Sequence, residues 1–200
     1  MIRIAAAGDV HASEATRDRV LGAFERVAEE ADVILLAGDL TTTGEPEQAA
    51  VLADACRDLD IPVFSVLGNH DYHAGREQDI RALLEEAGVH VLERSFRTCT
   101  IAGVELGVVG TKGFVGGFPG SVLPDFGERV LRQAYAETTA EAEAIGKGLQ
   151  EIVHCDLRVV LLHYAPVEAT VVGESAAHAD VVVTPWPSDH RAVVVAFTVR

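Results

Sequence analysis

The sequence predicts an α/β fold with parallel strands joined by crossover helices, and three observations carry the prediction. Apolar runs alternate regularly with amphipathic stretches through the first half of the chain. The 18 glycines and the scarcity of aromatic residues suit tight turns between strands and helices. Four of the apolar runs also end on Asp, Asn or His, three of them directly after a Gly.

The first run, IRIAAA (2–7), leads into a helical stretch over about 14–31, where Val20, Leu21, Phe24, Val27 and Ala28 recur at helical spacing. VILLA (33–37) predicts a second strand, a helix near 45–58 opens on GEPE, and PVFSVL (62–67) predicts a third strand. A helix over about 76–87 stops at Gly88, a natural C-terminal stop. VHVL (89–92), TCTIAG (98–103) and VELGVVG (104–110) read as short strands with glycine-containing turns. GTKGFVGGFPGSVLPDFGE (110–128) reads as a surface loop, and loops this long are usually functional or disordered. A helix over about 128–153 carries Val130, Leu131, Ala134, Ile145, Leu149 and Ile152, and the buried-type strand RVVLLH (158–163) follows it. Beyond Val172 the pattern weakens to two strands, DVVVT (180–184) and AVVVAFTV (192–199), with PWPSDH between them.

With 200 residues and 48% hydrophobic content, the chain can bury one sizeable core, so a single domain over 1–200 is expected. No run reaches the ~18 uninterrupted apolar residues of a membrane span. The N-terminal MIRIAAAGDVHA superficially suggests a signal peptide, but the run ends in Asp9 and His11 and reads better as a strand. A cytoplasmic protein is expected. Cys56, Cys99 and Cys155 are scattered and odd in number, which predicts reduced structural thiols. The formal net charge of -15 repels a phosphate backbone, so duplex nucleic acid is not an expected partner. A small phosphorylated substrate remains compatible, because a local metal charge outweighs the field of a distant surface.

The strand ends carry the chemistry. They read Gly8-Asp9-Val10-His11, Gly38-Asp39-Leu40, Gly68-Asn69-His70-Asp71 and His163-Tyr164-Ala165-Pro166. In a parallel sheet such ends lie along one edge, where open α/β folds bind their ligands. A Gly before the turn lets the backbone approach a neighbour closely. Oxygen donors mixed with imidazole nitrogens suit Mn, Fe, Zn or similar divalent ions rather than a thiolate site. An Asp between two ions can bridge them, a known device for phosphoester hydrolysis.

At these residues the chain resembles the calcineurin-like metallophosphoesterase superfamily. Its signature runs GDxH, GD, GNH followed by Asp or Glu, a strand-end His, and GHxH. The first four are present in order as GDVH (8–11), GD (38–39), GNHD (68–71) and His163. The GNHDYHAG and GTKGF stretches are also similar to those of a small prokaryotic branch. The resemblance implies a layered α/β/β/α sandwich and two divalent ions, Mn, Fe, Zn or Mg. It implies Asp9 and His11 on the first ion, Asp39 bridging, and Asn69 and His163 on the second. His70 is then catalytic rather than a ligand: it steadies the phosphoryl oxygen or protonates the leaving group. A hydroxide held between the ions attacks phosphorus.

The final GHxH is absent, and His178 and His190 are the only imidazoles where it belongs. The C-terminal part, 173–200, is therefore expected to be shortened or divergent. A deletion, a frameshifted end and a divergent solution all remain open, with the vacant positions filled by water, by His178 or His190, or by another subunit. Two functions follow: a hydrolase of phosphomonoesters or phosphodiesters, or a catalytically impaired relative that binds metal or a phosphorylated ligand as a binding or scaffold protein. Asp71 is expected to fix its turn or orient His70, and His73 to be an exposed loop histidine. Lys112 either meets a substrate phosphate or is a solvated loop lysine. His90 and His154 are expected to be structural, and the Ala- and Glu-rich stretch 136–151 a solvated helix face.

Overall fold

The computed structural model describes residues 2–114, 127–164, 181–185 and 193–197. Of the sequence expectations, loop residues 115–126 and the two late histidines, His178 and His190, lie outside this set. Among the described residues, two sheets lie between helices. In the first, β1 (Ile2–Ala7), β2 (Val33–Ala37), β3 (Val63–Val66) and β4 (His90–Val91) pair in parallel. They are joined by α1 (Arg17–Glu30), α2 (Pro46–Cys56) and α3 (Glu77–Glu86). The second sheet holds β5 (Ser95–Ile101) and β6 (Val104–Thr111) as a hairpin. Helix α4 (Arg129–Glu151) then crosses over to β7 (Leu157–Leu162), which pairs with β6 in parallel. Strands β8 (Val181–Pro185) and β9 (Val193–Phe197) return to the first sheet, β9 antiparallel to β1, giving the order β4-β3-β2-β1-β9-β8.

The run VILLA shows why the layers form. Ile34 and Leu36 pack against the helices on one face, while Val33 and Leu35 face the second sheet. A strand covered on both sides must be apolar at every position, not at alternate ones. Val20 and Phe24 of α1, Leu52 of α2, and Ile80 and Leu84 of α3 close the helix side of this sheet. Between the sheets, Ile4, Phe64 and Val66 meet Leu106, Val108 and Leu161. Val109 of β6 packs outward against Ile152 and Cys155 at the end of α4. The result is the expected α/β/β/α layering. Each fully buried Leu, Ile or Phe contributes roughly 1.5–3 kcal/mol to holding it together.

Several boundaries move for identifiable reasons. The first helix begins as a single 3-10 turn, Glu14–Thr16, because the Ser13 N–H donates to Thr16 Oγ1 at 3.0 Å. Pro46 occupies the first turn of α2, where its missing N–H costs nothing. Strand β5 starts at Ser95 rather than near residue 98, since the hairpin pairing extends to Gly110. Gly88 takes φ +88° and ends α3 as expected. Val130 does not join the core: it is 74% exposed, since the first turns of α4 extend past the packed part of the sheet. The three cysteines are free thiols. No helix among the described residues is long and apolar enough to cross a membrane.

Candidate metal centre

The carboxyl ends of β1 and β2 stay paired beyond the strands. Asp9 N–H donates to Gly38 O at 3.1 Å, His11 N–H to Asp39 O at 3.0 Å, and Ala12 N–H to Leu40 O at 2.8 Å. To keep this pairing while turning outward, Asp9, His11 and Asp39 adopt positive φ, at +53°, +45° and +51°. Such left-handed residues other than Gly cost about 1–3 kcal/mol each and gather at functional sites. The strain sets Asp9, His11 and Asp39 side by side.

The loop after β3 is fastened to the same place by Asp71. Its carboxylate is fully buried and accepts four hydrogen bonds: from Leu40 N–H (3.1 Å), Thr41 N–H (2.8 Å), Thr41 Oγ1–H (2.6 Å) and Gly68 N–H (2.8 Å). Asp71 therefore fixes the turn, as its position suggests. His70 N–H then donates to Asp39 Oδ1 at 2.9 Å. A Cβ on Gly68 would collide with the Asp39 carboxylate and backbone N, so only Gly lets the two loops close. Gly38 matters likewise: at φ +84°, a Cβ there would meet the His163 ring at 2.7 Å.

His163, at the exit of β7, reaches the rim from the second sheet. Its Nδ1–H donates to Ala37 O at 2.9 Å, which leaves Nε2 with a lone pair in the neutral ring. That atom lies 2.9 Å from Asn69 Oδ1 and 3.4 Å from Asp39 Oδ1. With the ring neutral, three lone-pair atoms thus face one another. Such a set is what a divalent cation resolves, and oxygen and imidazole donors fit that class of ion. His70 is oriented similarly: Nδ1 donates to Thr42 O at 2.7 Å, and Nε2 stands 3.9 Å from Asp39 Oδ2.

Two triads offer ligand atoms within 4.8 Å of one another, His11–Asp39–His70 and Asp9–Asp39–His163. Asp39 is common to both and 5% exposed. The structure thus brings all six sequence-derived site residues together. It groups His11 with His70, and Asp9 with His163, whereas the resemblance pairs Asp9 with His11. A further group, Glu105, His154 and Cys155, lies at the opposite end of the second sheet. His73 is exposed, with its ring 4.5 Å from that of His70.

Sequence reasoning missed the wall beside this rim. Tyr164 O–H donates to Asn69 Oδ1 at 2.8 Å. Burial, and then the Asp39 carboxylate, push its phenol upward, so it stays a donor. Glu141 lies inside the stretch expected to be solvated, yet it is 6% exposed. It accepts from Gly113 N–H at 2.9 Å, from Arg94 Nε–H at 2.8 Å and from Thr111 Oγ1–H. Glu93 accepts from Tyr72 O–H at 2.8 Å, and burial holds its carboxyl above the usual range. Only tertiary partners mark these residues.

The chain belongs to the calcineurin-like phosphoesterase family, whose model matches residues 2–197. It is 34% identical over 95 residues to an uncharacterized metallophosphoesterase of Aquifex aeolicus, covering 46% of this chain and 36% of that relative. The matched region thus spans about a third of that relative's length. In fold it is similar to a hypothetical protein of Thermus thermophilus, at 20% identity and TM-score 0.50, over 84% of this chain and 59% of that one. It is also similar to TT1561 of Thermus thermophilus, at 18% identity and TM-score 0.52, over 88% and 72% of the two chains.

Proposed function

We propose that the chain is a hydrolase of phosphomonoesters or phosphodiesters that works with two divalent ions. The observation that carries this reading is the mutual approach of lone-pair atoms around Asp39, which belongs to both ligand groups. Asp9 and His11 would hold one ion, Asn69 and His163 the other, with Asp39 between them. Bound there, the ions would acidify a water to attack phosphorus and clamp the phosphoryl oxygens.

The chain's own groups do the rest. Ala37 O fixes the His163 tautomer, and Tyr164 O–H fixes the Asn69 amide, so both present lone pairs inward. The Thr42 carbonyl holds His70 Nδ1–H, so a protonated His70 aims Nε2–H across the rim. From there it can steady a phosphoryl oxygen or give its proton to the departing oxygen. Three free thiols suit a reducing cytoplasm as the place of action.

The test is hydrolysis of 4-nitrophenyl phosphate and bis(4-nitrophenyl) phosphate with added manganese, zinc or magnesium. Hydrolysis is expected from the wild type and not from Asn69→Ala or Asp39→Ala. If folded wild type and variants are equally inert, the catalytic reading falls. A second reading, a catalytically impaired binder of metal or phosphorylated ligand, is favoured by the lack of any GHxH in the sequence. Metal content separates them: near two ions per chain supports the enzyme, and one or none supports the binder.

A further inference from the structure

A cleft of about 500 Å³ opens beside Asn69; Tyr72, Lys112 and Phe114 line it together with Arg94 and three glutamates, Glu93, Glu137 and Glu141. Lys112 sits at the exit of β6, where its carbonyl accepts from Tyr164 N–H at 2.9 Å. Its ammonium lies 5.5, 5.6 and 5.8 Å from the ring centroids of Tyr72, Phe114 and Tyr164. The last of these rings is the one that donates to Asn69. The lysine charge is therefore one aromatic ring away from the candidate metal ligands.

The charges around it are already matched. Arg94 is paired with Glu141 and Glu137. Glu93 accepts from Tyr72 and from Leu67 N–H; burial raises its carboxyl, while these hydrogen bonds and the charge of Lys112 act the other way. Among the described residues no carboxylate pairs with Lys112, whose ammonium donates only to Gly113 O, at 3.2 Å. An ammonium has three donors. The aromatic rings stabilise the charge and shield it from water without supplying an acceptor. Lysine is also rare here: Lys112 and Lys147 are the only two in the chain.

We infer that Lys112 receives a second phosphate on the substrate, so that the preferred substrates are phosphoanhydrides whose leaving group is itself a phosphate. This rests on the hydrolytic reading above and names its substrate class. In that reaction the oxygen of water bonds to the phosphorus at the rim and its proton is released. The bridging P–O bond breaks, its electron pair stays on the departing oxygen, and Lys112 stabilises the phosphate anion that leaves. Arg94 is not free to serve, because Glu141 and Glu137 hold it.

The test is calorimetric titration of the manganese-loaded protein, dialysed free of unbound metal. Methylenediphosphonate and methylphosphonate are the probes, with wild type, Lys112→Met and Lys112→Arg compared. Lys112→Met is expected to weaken diphosphonate binding by about tenfold to a hundredfold. Phosphonate binding should stay within about twofold, and Lys112→Arg should recover most of the loss, since a charged donor remains. Equal effects on both ligands, no effect on either, or no binding of diphosphonate by the wild type would each overturn the inference. Selective loss of diphosphonate binding in a protein inert toward aryl phosphates would instead sink the hydrolytic reading and leave the second-phosphate site standing. Thermal melts of the variants confirm that each is folded.

Discussion

At the rim, His163 Nε2 and Asp39 Oδ1 stand 3.4 Å apart beside Asn69 Oδ1; on the adjoining wall, Arg94 and Glu141 pair at 2.8 Å. The same chemical types are used in opposite ways. On the wall each buried charge meets a donor or a counter-charge, as folding alone would require. At the rim, a buried carboxylate faces the partly buried acceptors of His163 and Asn69, and the backbone is held in left-handed conformations. Folding alone does not favour such an arrangement, which is that of a candidate ligand set around Asp39. The contrast separates the residues that build the site from those that use it.

The comparison is broken most directly at Asp39. Asp39→Asn should lower hydrolysis on the order of a thousandfold or more, and abolish stoichiometric metal binding. In metal-free protein the same change should leave stability unchanged or raise it by about 1 kcal/mol, because it relieves acceptor crowding. Metal analysis and urea denaturation together check this; a marked loss of metal-free stability would mean that Asp39 is a structural group like Glu141.

Asp71 should behave oppositely, although it is only one residue from His70. Asp71→Ala strands three backbone N–H groups and the Thr41 hydroxyl, and should cost about 3–5 kcal/mol in urea denaturation. Its loss of activity should follow the loss of fold.

Glu141→Gln keeps the shape but removes the charge facing Arg94, so a cost of about 1–3 kcal/mol is expected. Its kcat toward aryl phosphates should change by less than about tenfold if the wall is supportive rather than catalytic.

The smallest expected effect is a slope with pH. Burial raises the Glu93 carboxyl, partly opposed by the Tyr72 hydrogen bond. Between the ordinary glutamate value and the raised one, the folded protein keeps a proton that the unfolded chain has released. Stability from this group is therefore present below the ordinary value and declines as pH rises through that window. Glu93→Gln should flatten the decline, measured by urea midpoints from about pH 4 to about pH 7. An unchanged slope would place the titration elsewhere.

The rim was legible because it is written locally. A strand exit followed by Gly-Asp or Gly-Asn-His is a short pattern, and the parallel β1, β2 and β3 deliver their residues to one sheet edge, while β7 reaches the same rim from the second sheet. The wall was not legible. Glu141 sits in a helix stretch of alanines and glutamates that looks solvated, and it is buried only because Arg94, Thr111 and Gly113 converge on it from two other elements. Val130 failed in the other direction: helical spacing marked it as core, but among the described residues it is 74% exposed. Periodicity shows which face a residue shares, not whether a partner reaches that face.

By itself, then, the sequence determined the order of elements, the apolar runs that must be covered on both faces, and the donor types presented at the strand exits. These are properties of residues near one another along the chain, governed by backbone geometry and local hydrophobic pattern. Tertiary structure alone decided that Asp71 fastens two loops, that His163 crosses from the second sheet to face Asp39, and that among the described residues Arg94, but not Lys112, is paired with a carboxylate. Those outcomes depend on distances and partners between distant segments, and free energies of burial and pairing are set by such neighbours rather than by residue type.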